Sequence, residues 1–247
     1  MRTSPKARVR VALTIGDVNG IGPEVAVKAV RVLSGSESID PVLVGPEPLW
    51  RRALEHARSG DAGGGPTEEE DLAAVLEETE IEDVPIEPES SSLPRSGELS
   101  AEAGRVAMRA VERAVDLCME RAVAAMVTAP ISKEGVRAAG WEIPGHTEFI
   151  ADRVGADRHA MMMTAGDLRV ALCTTHVPLS AVAELLDRVL IEEKLDVVAG
   201  ALRTDFGIED PSIAVLGLNP HAGDGGVIGT EEESVMRPVL AERLEAG

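Results

Sequence analysis

Apolar and polar positions alternate through "RVRVALTIGD" (8–17), which predicts a strand. Just beyond it, "GPEVAVKAVRVL" (22–33) has Pro23 at its first position and switches to a helical period. Val25, Ala26, Ala29, Val30 and Leu33 are expected on one face of that helix, with Lys28 and Arg31 opposite. "DPVLVG" (40–45) reads as a second short buried strand. From Ser100 a long amphipathic helix is expected, with Val106, Ala107, Ala110, Val111, Ala114 and Leu117 on its apolar side. "AVAAMVTAP" (122–130) is then a strand ending in a loop, and "ISKEGVRAAG" (131–140) a short helix closed by Gly140. "WEIPGHTEFIADRVG" (141–155) runs from loop into helix, and "LRVALCTTHVPLSAVAELL" (168–186) is strand, loop and helix. "DRVLIEEKLDVVAGALRTDFG" (187–207) is a helix, "PSIAVLGLNPHAGDGG" (211–226) a strand and loop, and "VLAERLEAG" (239–247) helix-like. Strands alternating with helices across short loops predict a mostly parallel α/β sheet with helices on both faces. In such sheets ligands bind beyond the carboxyl ends of the strands.

One segment breaks the pattern. Residues 59–92 are acidic and rich in Gly, Pro and Ser, and read as a solvated excursion holding one short helix, with Thr67 and Glu70 as its capping box. The chain of 247 residues, 44% hydrophobic, suffices for one large α/β domain or two smaller ones. Its formal charge is −19, and only four of its 24 basic residues are lysine. Such a surface repels phosphate backbones, which excludes nucleic acid as the expected partner. No apolar run approaches the roughly 20 residues a bilayer span needs, and the N-terminus lacks a signal-peptide pattern. Cys118 and Cys173 form no CxxC pair. A soluble, cytoplasmic protein is expected.

The polar residues capable of chemistry cluster after the predicted strands. Asp17 and Asn19 follow the first strand, and Thr128 and Lys133 follow the strand around Met126. His146 and Thr147 lie in "PGHTE". Thr174, Thr175 and His176 follow "RVALC", and Asn219, His221 and Asp224 follow "IAVLG". A single histidine after a strand is readily a loop residue; two on one sheet edge, each beside Thr or Asn, suggest a shared site. Neutral imidazole suits Zn, Co, Ni, Fe or Mn, and two imidazoles leave a metal needing at least one more ligand. There is no HExxH spacing, and the glycines of "TIGDVNGIGPE" do not form GxGxxG. Cys173 and the triplet Met161–Met163 are expected in the core, and His56 and His159 at the surface.

Five blocks in order, "TIGDVNGIGPE", "VTAPISKEG", "PGHTEFIA", "CTTHVPLSAV" and "LGLNPHAGDGGVIGTEE", resemble the 4-hydroxythreonine-4-phosphate dehydrogenases of pyridoxal phosphate biosynthesis. The resemblance runs from about residue 10 onward. Val18 and Asn19 depart from it, standing where the family has Pro and a small residue. It implies two α/β/α domains around a cleft, similar to the isocitrate and isopropylmalate dehydrogenases, in a homodimer with the active site at the subunit interface. The expected domains are 1–128 and 129–247. It also implies that His146 and Thr147 bind substrate and that His176 and His221 are metal ligands. Lys133 and Asp224 are candidates for proton handling. The implied cofactors are NAD or NADP and one divalent ion, Zn, Mg or Co.

The implied reaction oxidises the secondary alcohol of 4-phosphooxy-L-threonine and releases CO2, giving 3-amino-2-oxopropyl phosphate. The family's third metal histidine, in a His-Asp-Gln-Gly block, and its later substrate-binding Lys, Asn and Arg residues have no counterpart before Gly247. The chain as written is therefore expected to be truncated, with weak metal binding and negligible oxidation. The alternatives are a related dehydrogenase of phosphorylated threonate or erythronate, a metal hydrolase or phosphate acyltransferase-like enzyme, or an inactive truncated paralogue.

Overall fold

The structure is a computed structural model that describes residues 7–59, 74, 77–86 and 95–246. The chain divides into two compact units, Met1–His146 and Thr147–Gly247. The break thus falls after His146, eighteen residues beyond the boundary expected at 128, because the segment after 128 packs back onto the first unit. Most of the acidic excursion, including Thr67 and Glu70, lies outside the described residues, as does the side chain of His56.

In the first unit, strands β1 (Val9–Thr14), β2 (Ile39–Val44), β3 (Glu80–Glu82) and β4 (Ala125–Val127) form one sheet in the order β3-β2-β1-β4. Every pairing in it is parallel, with Ala12 opposite Val42 on one side and Met126 on the other. Successive residues of a strand point to opposite faces, yet Val42, Leu43 and Val44 are all buried, so both faces are covered. Helices α1 (Gly22–Leu33), α2 (Glu47–Ser59) and α3 (Ala101–Met119) supply the cover. In α1 the buried stripe is Pro23, Ala26, Val27 and Val30, while Val25 stands 47% exposed. The stripe is thus one position round from the expected face, following the i, i+3, i+4, i+7 spacing.

Helix α3 buries all six residues assigned to its apolar side. Each large one, such as Val111 or Leu117, contributes about 1.5–3 kcal/mol by leaving water. Ser100 caps the helix, its hydroxyl accepting from the Ala103 amide at 3.1 Å. Gly104 lets the short helix α4 (Lys133–Ala138) lie directly on α3. A Cβ there would sit 2.2 Å from the Gly135 carbonyl oxygen. This close crossing is what draws residues 129–146 into the first unit.

The second unit begins in helix α5 (His146–Val154) and continues through the antiparallel pair β5 (Met162–Ala165) and β6 (Leu168–Ala171). Gly166, at φ 58°, turns between the two strands. Helix α6 (Val182–Leu185) follows, then α7 (Arg188–Thr204), capped by Asp187 through the Leu190 amide at 2.8 Å, and α8 (Arg237–Ala246). Leu186, Ile191, Met236 and Val239 form a small core.

Four expectations fail in this unit. The run at 211–217 joins no ladder among the described residues, and Leu216 is 80% exposed. A strand needs a neighbour for its backbone groups, and among the described residues β5 and β6 pair only with each other. Met163, on β5, is 59% exposed, and Cys173 is exposed two residues past the end of β6. His159 is half-buried rather than on the surface.

Candidate active site

In the first unit, β1 and β4 are neighbours, so the loops leaving their carboxyl ends lie side by side. The Ala129 amide donates to Thr14 Oγ1 at 3.2 Å, and the Asp17 amide donates to the Pro130 carbonyl at 2.8 Å. Gly16, at φ 68°, permits this contact, since a Cβ would lie 2.6 Å from Pro130 O. Asp17 and Asn19 make hydrogen bonds within the first unit. Asp17 Oδ1 accepts from the Asn19 amide, and buried Asn19 donates through Nδ2 to Glu98 O at 2.6 Å and Ser100 Oγ at 3.1 Å. They stitch the first loop to the start of α3.

Lys133 opens α4, whose cap is Ser132 Oγ accepting from the Gly135 amide at 3.1 Å. A cation at a helix N-terminus opposes the helix dipole, so Lys133 is not placed there for stability. It is exposed, and its charge is felt at His146. Burial pushes the His146 imidazole below its ordinary range, and the Lys133 cation pushes it further down, which keeps the ring neutral at pH 7. Its Nε2 is buried and has no hydrogen-bond partner among the described residues.

In the second unit, His176 Nδ1 lies 2.7 Å from Glu148 Oε1, joining the loop after β6 to the first turn of α5. Burial alone would raise the Glu148 pKa. The hydrogen bond from His176, with the backbone amide of Glu148, outweighs that and holds the carboxyl below its usual range. Glu148 Oε2 is buried without a partner among the described residues.

His221 sits in a turn of unusual hand: residues 221 to 225 all have φ between 46° and 82°. The described non-glycine residues at positive φ are Arg121, His176, His221, Ala222 and Asp224, so four of the five fall in the two histidine loops. Each costs roughly 1–2 kcal/mol, and strain of this kind concentrates where function holds it.

A carboxylate clasp braces that turn. Buried Glu232 accepts from the Asn219 amide at 2.7 Å and from its Nδ2 at 2.9 Å, and Glu231 accepts from Nδ2 at 2.8 Å. The Asn219 side chain and then its backbone amide lower the Glu232 pKa, so this acid stays ionised although buried. Asp224 and His221 are exposed and Thr147 is half-buried. The structure thus brings His146 under the charge of Lys133 and His176 onto Glu148. Among the described residues, no three His, Cys, Asp or Glu side chains converge to hold a metal ion.

The profile for pyridoxal phosphate biosynthetic protein PdxA matches residues 37–247, a span that includes Lys133, His146, Thr147, His176, His221 and Asp224. The chain belongs to the PdxA family. It is 36% identical over 244 residues to the 4-hydroxythreonine-4-phosphate dehydrogenase of Bacteroides thetaiotaomicron, covering 97% of this chain and 65% of that protein. It is 40% identical over 235 residues to the enzyme of that name from Prosthecochloris aestuarii, covering 93% and 69%. The chain therefore spans about two thirds of the length of these relatives. The crystal structure of 4-hydroxythreonine-4-phosphate dehydrogenase from Klebsiella pneumoniae superposes with a TM-score of 0.79 at 33% identity, covering 98% of this chain and 73% of that one.

Three residues of this PdxA-family chain were not singled out from sequence: Glu148, Glu231 and Glu232. All three stand inside blocks that carry the family resemblance, "PGHTEFIA" and "GVIGTEE". The available signal was a carboxylate beside a histidine or asparagine motif in a chain already crowded with acids.

Proposed function

We propose that the protein is a metal-dependent, NAD(P)-linked dehydrogenase. It oxidises the secondary alcohol of 4-phosphooxy-L-threonine with loss of CO2, giving 3-amino-2-oxopropyl phosphate for pyridoxal 5'-phosphate synthesis. The observation that supports this most directly is the 2.7 Å bond between His176 Nδ1 and Glu148. Metal-ligating histidines typically hold a carboxylate on the ring nitrogen that faces away from the metal. The imidazole donors fit a divalent ion such as Zn or Co, whereas Mg prefers oxygen ligands; His176 and His221 would hold the ion, each on a braced loop. A bound metal would supply Lewis acidity at the alcohol oxygen, and a bound nicotinamide would supply the hydride acceptor.

His146 is assigned to substrate. Neutral and partly buried, its unpartnered Nε2 can exchange a hydrogen bond, or a proton, with a substrate hydroxyl. Thr147 adds a hydroxyl that both donates and accepts. Lys133 offsets the negative charge of a phosphorylated acid, and with Asp224 it is the candidate for proton handling. A homodimer with a shared site and a cytoplasmic location belong to the same proposal. No described helix is long and apolar enough to cross a membrane.

The test is formation of NADH or NADPH from 4-phosphooxy-L-threonine with Co, Zn or Mg supplied in turn, and with phosphorylated threonate and erythronate in parallel. His176→Ala and His221→Ala are each expected to lose more than the roughly 10–100-fold that an outer-sphere change costs. Nucleotide reduction with threonate or erythronate phosphate alone would move the substrate assignment. Hydrolysis without nucleotide reduction would refute the dehydrogenase.

A further inference from the structure

We propose that Glu148 is a positioning residue that selects the tautomer of His176, so that Nε2 carries the lone pair offered to a divalent cation. This rests on His176 being a metal ligand, as proposed above. An ionised carboxylate can only accept hydrogen bonds. With Glu148 Oε1 at 2.7 Å from Nδ1, the ring proton must sit on Nδ1, and the neutral imidazole then bears its lone pair on Nε2.

The pairing is built into the fold. Glu148 stands in the first turn of the nine-residue helix α5, while His176 lies 28 residues on, in a loop. His176 itself is held at φ 57°, a conformation a non-glycine residue leaves unless contacts retain it. Both side chains are partly shielded from solvent, at 25% exposure for Glu148 and 34% for His176. Shielding strengthens a charge-assisted bond relative to one in open water. Glu148 therefore fixes both the orientation of the ring and the nitrogen that faces outward. Without it, the ring can rotate and adopt the Nε2–H form, and that nitrogen cannot ligate until it loses its proton.

The experiment uses the chain labelled with 15N-histidine, first free of metal. Long-range proton–nitrogen correlations report which nitrogen of each of the five histidines is protonated, and His176→Gln assigns the signal. The parent chain is expected to show the Nδ1–H form at His176. Glu148→Ala should move that ring toward Nε2–H and weaken Co2+ binding, read by titration calorimetry, by about 10- to 100-fold. Glu148→Gln, which keeps an acceptor oxygen, should retain most of the Nδ1–H form and lose less affinity. Dispersed amide spectra for both variants establish that they fold.

An Nε2–H ring at His176 in the parent overturns the proposal, as does a Glu148→Ala chain with an unchanged tautomer or unchanged Co2+ affinity. His176→Ala separates the two layers of inference. If it loses Co2+ binding while Glu148→Ala does not, the role of Glu148 alone fails. If it binds Co2+ as well as the parent, the ligand assignment fails and the role of Glu148 fails with it.

Discussion

Gly104→Ala tests whether the crossing of α3 and α4 is as tight as the backbone geometry requires. The added Cβ would lie 2.2 Å from Gly135 O, 2.3 Å from Gly135 C and 2.7 Å from Val136 N. All three are backbone atoms, so no side chain can rotate away. Ordinary contact begins near 3.4 Å, and α4 must retreat from α3 by about 1 Å. Overpacking costs about 1–3 kcal/mol, and a clash with rigid backbone belongs at the upper end. Alanine returns about 1 kcal/mol through its better helix propensity. The net loss is about 2 kcal/mol. Urea denaturation followed by tryptophan fluorescence isolates the effect, since the chain's two tryptophans, Trp50 and Trp141, both lie in the first unit. With a slope of about 2 kcal/mol/M, the midpoint should fall by about 1 M. The same retreat carries Lys133 with it, and a displacement of about 1 Å at a positioned group can cost on the order of 100-fold in rate. Gly200→Ala is the opposite control: Gly200 lies in α7 with open space around the added Cβ, and the change should stabilise that helix by about 1 kcal/mol. A Gly104→Ala midpoint equal to or above the parent's would refute the reasoning.

Thr14→Val keeps shape but removes the acceptor for the buried Ala129 amide, and should cost about 1–3 kcal/mol in the same fluorescence assay, whereas Thr14→Ser should cost less. Gly229→Ala should loosen the clasp around Asn219, because a Cβ there would lie 2.2 Å from Asn219 Nδ2 at a φ of 138°. Amide hydrogen exchange across 219–228 should accelerate, and unchanged protection would show that the clasp does not brace the His221 turn. Acid should destabilise the chain in two steps. His146 titrates below 6.5 when folded, so the unfolded chain binds more protons from pH 6.5 downward and stability falls as pH drops through that window. Glu148 is held below 4.5, and its contribution, present above that pH, is lost as pH falls through its folded value. Denaturation midpoints followed from pH 8 to well below 4.5 should show both losses. His146→Asn should remove the first, and a pH slope unaltered by that change would disprove the assignment.

Much of the architecture was legible in local pattern. The period of 3.6 in α3 named six of the ten residues it buries, and the alternation before Thr14 located β1. Motif order was enough to indicate the family, because five blocks in sequence constrain far more than any one. The placement of unusual polar residues after strands held for Lys133 and His176. At Asn19 the pattern could not show that the amide nitrogen binds Glu98 and Ser100, residues about 80 positions away. The period of α1 predicted a helix but not which of Val25 and Val27 faces the sheet; that depends on how the loop before Pro23 enters. The apolar run at 211–217 has a strand's composition, yet no ladder forms there, since pairing needs a second backbone edge that composition cannot supply. His176 could be named from "CTTH", but its bond to Glu148 could not. Hydrophobic period is written in neighbouring residues and survives in any fold that buries that face. A carboxylate's partner is set by which segments the chain brings within about 3 Å, and only the folded path decides that.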